Sequence, residues 1–309
     1  MVREMLKRGS LNHMMCCVFG GTDDCEPLMG LSSSGVSMDD LVSMVDEGYD
    51  LLGKFNLADH FPWLAGLDLQ RIRFRCSKLA PKVNRFLTRV LSNTELGPGP
   101  KMMLEMIFRG TDAVAVLIEW VLARMVIHAD VQSKVHEELD RVVGKSRPVS
   151  ESDLSSMVYL HAVIKEVLRL HPPGPLMSWC RLSIADTIID GRDIPAGTTG
   201  IVNMWSIMRD PEVWSDPLTF KPERFMSKET ETEFSVFGSD LRIAPFGSGK
   251  RSCPGKFLGY ATVNFWVASL LHEYEWGAPD QNPVDLSEVL RLSCEMANPL
   301  TAKVRRRRY

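Results

Sequence analysis

The sequence predicts a mainly α-helical protein with a small β part. Three observations carry that expectation. Apolar residues recur at helical spacing from Met38 to Leu91, from Lys101 to Val143 and up to Leu170. Gly97-Pro98-Gly99-Pro100 and His171-Pro172-Pro173 cut these stretches sharply. Strand character is confined to short segments near Asp190-Gly191 and at the C-terminal end.

Taken in order, residues 1–37 are rich in Gly, Ser and Met with weak periodicity and predict loose helix and loop. Leu41, Val45 and Leu52 then share roughly one face of a helix. Asp59-His60-Phe61-Pro62-Trp63-Leu64 is an apolar turn ahead of a basic helix from about Asp68 to Leu91. A long helix from Lys101 is followed by a second, with a hinge near His128 to Val131. Ser150-Glu151-Ser152-Asp153 has the Ser-x-x-Asp form of a helix start, and that helix runs to Leu170. Asp190-Gly191 suits a tight hairpin. Repeated prolines make 204–250 loops and short turns, a helix follows from about Gly255 to Tyr274, and the last residues read as hairpin strands.

With 36 Lys+Arg against 39 Asp+Glu, 45% hydrophobic residues and 24% charged, the chain is near neutral and ordinary for a globular protein. Disordered, collagenous and disulfide-framework classes are excluded, and nothing global suggests nucleic acid as a partner. Its 309 residues can bury one large core or two ordinary ones. Seven scattered cysteines without a C-x-x-C pair read as reduced thiols on the cytosolic side of any membrane. The N-terminus lacks an apolar signal-peptide core, and the best apolar run, Ala113 to Ile127, is interrupted by Glu119 and Arg124, so the chain by itself reads as soluble. Arg305 to Arg308 reads as a solvated tail.

The sharpest chemical signal is Phe246-Gly247-Ser248-Gly249-Lys250-Arg251-Ser252-Cys253-Pro254-Gly255. Glycines at 247, 249 and 255 let the backbone pass close to something flat and bulky, where a Cβ would collide. Cys253 stands just before a helix N-terminus, whose partial positive charge favours a thiolate, and Arg251 can hold a carboxylate. A lone cysteine is ordinarily a small buried hydrophobe. The glycine and arginine frame argues for a working one. A phosphate-binding loop would need Gly at Ala244 and Ser or Thr at Arg251, a nucleophile elbow does not match Gly247-Ser248-Gly249, and the seven histidines show no zinc spacing.

Two further signals are weaker. Glu166 and Arg169 lie three residues apart on one helix face and can pair, with Arg224 of Pro222-Glu223-Arg224-Phe225 as a second cation. Such a pair is ordinarily a solvated surface feature worth a few tenths of a kcal/mol. Asp112, in Gly110-Thr111-Asp112-Ala113, sits in an otherwise apolar helix, either at its wet edge or facing a partner.

These three segments, in this order, resemble a plant cytochrome P-450 monooxygenase. The phrases Ile107-Phe108-Arg109-Gly110-Thr111-Asp112, Val114-Ala115-Val116-Leu117-Ile118-Glu119-Trp120 and His171-Pro172-Pro173-Gly174-Pro175-Leu176 are similar to the KLUH-type family, over about residues 38–309. The resemblance implies a single cytochrome P-450 domain lacking its N-terminal region, with 1–37 irregular, helices over the distal side at 38–100, and the oxygen-side helix, Glu-x-x-Arg helix, haem-thiolate loop and C-terminal hairpins at 101–309. It implies haem b, with Cys253 as the axial thiolate of the iron. Arg251 and Arg181 would bind propionates, Phe246 would pack beside the thiolate, and Gly247, Gly249 and Gly255 would give the cofactor room. Glu166, Arg169 and Arg224 would form a buried triad, Asp112 would relay protons, and Gly110, Pro175, Met177, Met296 and Ala297 would line the substrate cavity.

The implied reaction is hydroxylation of a small lipophilic substrate, a fatty acid by class, with dioxygen and electrons from NADPH–cytochrome P-450 reductase. Plant organ or seed growth and the cytosolic face of the endoplasmic reticulum membrane are the implied setting. Arg242, Lys250, Arg251 and Lys256 could guide the reductase. Two departures stand out. Ala113 occupies the position where the family has threonine, so reducing power should leak as peroxide, and Thr111 points to a different helix face. The chain upstream of the oxygen-side helix is also short by about a domain, which would leave out a membrane anchor, a hinge and one wall around the haem. The alternative reading is therefore a catalytically impaired or non-haem-binding fragment; a haem-thiolate isomerase or dehydratase is a third.

Overall fold

The computed structural model describes residues 2–19, 37–91, 100–176, 181–226, 234–237, 240–279 and 283–307. The chain divides into two compact units, Met1–Val116 with Glu288–Glu295, and Leu117–Ser287 with Met296–Tyr309.

The first unit holds α1 (Val2–Phe19), α2 (Met38–Gly53), the single turn α3 (Leu57–His60), a 3-10 turn at Pro62–Leu64, α4 (Ile72–Leu91) and the start of α5 (Pro100–Ile127). An irregular segment was expected before residue 38, but 2–19 form a helix, because Leu6, Leu11, Met14 and Met15 fall on one buried face. Residues 20–36 lie outside the described residues. Ser37 starts α2 through a capping box with Asp40. Asp68 caps α4, accepting from the amides of Arg73 (3.1 Å) and Phe74 (3.0 Å). Leu11, Met15, Leu41, Met44, Val45, Tyr49, Val83, Phe86 and Ile107 form the core of this unit.

The second unit holds the rest of α5, α6 (Ala129–Val142), α7 (Val158–Leu170), the short strands β1 (Arg181–Leu182), β2 (Thr187–Ile189), β3 (Arg192–Ile194) and β4 (Thr199–Gly200), a turn α8 (Met204–Ile207), α9 (Lys256–Glu273) and β5 (Tyr274–Gly277). The helix predicted from Ser150 is split. Its first six residues, Glu151–Ser156, form a 3-10 turn with the Ser150–Asp153 capping box, and the α-helix starts at Val158. There the buried Glu138 carboxylate accepts from the amides of Tyr159 (2.8 Å) and Leu160 (2.9 Å), closing the exposed helix end. Trp120, Val121, Leu122, Met125, Val135, Leu139, Val163, Ile164, Val167 and Leu271 are fully buried. Burial on every side from Ala115 to Ala123 explains why that part of α5 runs apolar all round, whereas α9 leaves Phe257 and Leu258 exposed.

The β part is four two-stranded pairs, β1–β4, β2–β3, β5–β8 and β6–β7, with β6 at Glu288–Leu290, β7 at Cys294–Met296 and β8 at Lys303–Arg306. Asp190 (φ 51°) and Gly191 (φ 71°) turn β2 into β3 with two positive φ angles, the geometry that a two-residue hairpin favours. The final strand does not close a local hairpin. It pairs antiparallel with β5, Tyr274 opposite Arg306 and Gly277 opposite Lys303. No helix among the described residues is long and apolar enough to cross a membrane.

The arginine run stays solvated at Arg305 and Arg306, whose side chains are 80% and 76% exposed, and is drawn in only at Arg307. Arg305 bonds Glu275, Arg306 lies 3.6 Å from Glu273, and Arg307 holds both oxygens of Asp140 at 2.8 Å; Arg308 lies outside the described residues. Beside Arg307 is His136, whose Nε2 is buried without a hydrogen-bond partner among the described residues. Burial first, and then the Arg307 charge, push its pKa down to about 4 from an ordinary 6.5. Between those two values the unfolded chain binds a proton that the folded chain excludes, so stability should fall as pH drops from 6.5 toward 4. Chemical denaturation across this window, compared with His136→Leu, should show the variant losing up to ~1.4 kcal/mol per pH unit of that slope. Identical slopes would rule out His136 as the source.

Candidate functional site

The cysteine segment folds as two consecutive turns. The Gly247 amide donates to the Ala244 carbonyl (2.9 Å), the Ser252 amide to Gly249 (3.1 Å), and the Cys253 amide reaches back to Phe246 (2.8 Å). Gly247 (φ 73°) and Gly249 (φ 68°) occupy the left-handed region, so the turns themselves require glycine there. Gly255 has an ordinary φ of −89° at the start of α9 and is not needed for the turn. A Cβ built on Gly249 or Gly255 meets no heavy atom within 4 Å, so the loop is open beside both. Phe246 stacks with Phe237 (5.9 Å), which in turn meets Phe257 (5.0 Å) and Tyr260 (5.1 Å), fixing the loop to α9.

Cys253 is half-buried and free. Its thiol was expected to be pulled down by the helix N-terminus. Instead burial pushes its pKa up, and the Gly255 amide and Lys256 only partly offset that. Arg251 is exposed at the end of a 3-10 turn, Gly249–Arg251, and Arg181 is exposed in β1. Of the cations around the cysteine, Arg242 is engaged by Asp240 at 2.8 Å, which reduces what it can offer a partner.

Glu166, Arg169 and Arg224 come together in one buried network. Arg169 Nε and Nη2 donate to the two oxygens of Glu166, each at 2.8 Å, and both side chains are fully buried. The remaining donors of Arg169 reach the carbonyls of Met208 (2.8 Å) and Pro217 (2.7 Å). Arg224 Nε (3.0 Å) and the Lys221 amide (2.9 Å) add to Glu166 Oε1, while Arg224 Nη1 donates to Ser215 (3.0 Å). The surface-pair reading of Glu166 and Arg169 is therefore excluded. This network ties α7 to the 208–224 loops by their carbonyls, which no apolar contact could do with the same directionality.

The other predicted positions are less uniform. In the first unit Asp112 is buried and Lys7 Nζ lies 2.9 Å from its Oδ1. Thr111 donates its hydroxyl to Ile107 (2.7 Å). Gly110 was expected to line a substrate cavity. A Cβ there would stand 2.5 Å from Met14 Cε, so its missing side chain admits α1 instead. Pro175 is buried, Met296 is buried in β7, Ala297 is exposed, and Met177 lies outside the described residues.

Sequence reasoning missed three contributors. Lys7 carried no signal, because its partner is 105 positions away. Glu119 and Arg124 had been read only as interruptions of an apolar run. The fully buried Glu119 accepts from the Leu300 amide (2.9 Å), and Arg124 Nε donates to His171 Nε2 (3.1 Å). The His171 ring stacks flat on Trp120 at 3.9 Å. Charged residues inside an apolar helix were the available signal for both.

The buried Glu-x-x-Arg network and, after it, the glycine-framed thiol both lie within residues 100–297, which match the family model for cytochrome P450. The chain belongs to the cytochrome P450 family. It is 60% identical over 331 residues to cytochrome P450 78A6 of Arabidopsis thaliana, covering 99% of this chain and 61% of that relative. Cytochrome P450 78A3 of Glycine max is 59% identical, with 99% and 62% covered. Flavonoid 3'-monooxygenase of Arabidopsis thaliana is 37% identical over 296 residues, with 85% and 58% covered. The 78A relatives are the KLUH-type plant group that the sequence phrases resemble. This P450 chain spans about three fifths of their length.

Proposed function

We propose that this P450 is a haem-thiolate monooxygenase that hydroxylates a small lipophilic substrate, a fatty acid by class. Dioxygen and electrons from NADPH–cytochrome P-450 reductase would drive it, at the cytosolic face of the endoplasmic reticulum membrane, in plant organ or seed growth. The observation that carries the reading is the Cys253 loop, where a free thiol stands between two glycines whose Cβ positions are open. One relative's name, flavonoid 3'-monooxygenase, supports the reaction class and nothing finer.

Haem, when bound, would supply the activation of dioxygen for oxygen insertion into a C–H bond. The chain's own residues have separate tasks. Cys253 would hold the iron, with the Gly255 amide directed at its sulfur to stabilise negative charge there. Arg251 and Arg181 supply exposed cations for the cofactor's carboxylates. The Glu166–Arg169–Arg224 network fixes α7 to the 208–224 loops of the second unit, while the thiol loop is held by its own turns and by the Phe246–Phe237 stack. Asp112 handles protons on the oxygen side. Lys250, Arg251 and Lys256 offer positive charge to an acidic reductase face. Membrane association is supported by the exposed Phe55, Phe61, Trp63, Leu67 and Leu69, followed by α4 with its basic residues.

A specific observation also favours the impaired-enzyme reading. Ala113 has no hydroxyl, and the one on Thr111 is spent on Ile107. Reconstitution with the reductase, NADPH and a medium-chain saturated fatty acid tests both readings. The monooxygenase reading expects NADPH-dependent hydroxylated product together with peroxide, and Ala113→Thr should raise the product-to-peroxide ratio about tenfold. Haem-loaded protein that consumes NADPH but yields only peroxide, in both forms, would favour the impaired reading.

A further inference from the structure

In the first unit Asp112 does not stand alone. Lys7 Nζ, from α1, is 2.9 Å from its carboxylate and 3.3 Å from Asp46 of α2, whose side chain is 51% exposed. Glu295, buried in β7, is the nearby second acid, held by Arg3 of α1 at 2.8 Å and by Arg291 at 3.6 Å. Tyr49 of α2 completes the group, its hydroxyl directed to the Arg109 carbonyl at 3.4 Å. Three carboxylates thus face three cations, and Lys7 is the cation that joins the buried Asp112 to the half-exposed Asp46.

The two residues flanking Asp112 cannot share its work. Ala113 has no polar atom, and Thr111 gives its hydroxyl to Ile107 while its carbonyl accepts from Ser10 (2.6 Å). Burial by itself would lower the Lys7 pKa, but Asp112, Asp46 and Glu295 together hold it above the ordinary lysine value. The ammonium therefore persists throughout the neutral range.

We propose that Lys7 is a positioning residue for Asp112, its ammonium fixing the orientation of that carboxylate and linking it to the surface through Asp46. The proposal rests on the oxygen-side role of Asp112. With Lys7 in place, Asp112 is a fixed acceptor. Without Lys7 the buried carboxylate loses the ammonium that holds it at 2.9 Å and stands near Glu295 with no cation of its own from α1.

Two measurements on the full chain test this. A double-mutant cycle of Lys7→Met and Asp112→Asn, read by urea denaturation without haem, should give a coupling of about tenfold in the folding equilibrium. In haem-loaded protein, Lys7→Met should lower the product-to-peroxide ratio about tenfold, and Lys7→Arg should restore it. An absent coupling would overturn the pairing itself. A coupling with an unchanged ratio in Lys7→Met, where Asp112→Asn does lower the ratio, would leave only a structural ion pair and overturn the positioning role. If Asp112→Asn also leaves the ratio unchanged, the oxygen-side role of Asp112 falls, and the proposal with it.

Discussion

Glu166→Ala should destabilise the second unit by about 3–5 kcal/mol, the cost of leaving a buried charge without its partner. The substitution strips Arg169 Nε and Nη2 of both acceptors in a place where neither residue touches water, and it removes the acceptor of Arg224 and of the Lys221 amide as well. Domain stabilities are typically about 5–15 kcal/mol, so the variant should stand at the edge of unfolding. Arg169→Lys should also be severe, because one ammonium cannot serve both Glu166 oxygens and the Met208 and Pro217 carbonyls. Lys134→Ala is the control. Its pair with Glu223 is half-exposed, and its loss should cost about 0–1 kcal/mol. Urea denaturation followed by circular dichroism separates these cases; a Glu166→Ala loss no larger than that of Lys134→Ala would contradict the account of the network.

The second large effect concerns function alone. Cys253→Ser should leave urea stability almost unchanged, because the thiol is half-buried and the loop is shaped by backbone bonds from Cys253 to Phe246 and from Ser252 to Gly249. On the proposed reading, however, iron would lose a soft charged ligand that a hydroxyl does not replace. Haem retention through gel filtration and all NADPH-dependent hydroxylation should therefore be lost together. Gly255→Ala is informative beside it. Its φ of −89° tolerates alanine and nothing crowds the new Cβ, so the haem-free fold should be indifferent, while haem uptake should drop if the open space is where the cofactor lies.

Local chemistry made much of the fold legible. Proline, glycine and capping residues mark the ends of α2, α4 and α7, and the Asp190-Gly191 turn follows from the φ angles that only a few residues accept. The helix α1 reads in sequence only as loose helix and loop because its apolar residues are scattered and its middle carries Gly9 and Ser10, so the pattern is weak until Gly110 of α5 admits Met14. Long-range pairing escaped for a related reason. Nothing in Lys303–Arg306 announces Tyr274–Gly277 as its partner, and nothing in the arginine run sets Arg307, which Asp140 draws in, apart from the solvated Arg305 and Arg306. The thiol loop and the Glu-x-x-Arg pair were legible because rare residue types stand at fixed spacing. The direction of the Cys253 pKa was not, because burial is a tertiary property that outweighs the helix end.

The central claim is that Cys253 holds haem as a thiolate. The carbon monoxide difference spectrum of the dithionite-reduced chain, expressed with a haem precursor and read beside Cys253→Ser, tests it most directly. The account predicts a strongly red-shifted Soret band in the native chain and none in the variant. Haem incorporated without that band, or the same band in both proteins, would contradict it.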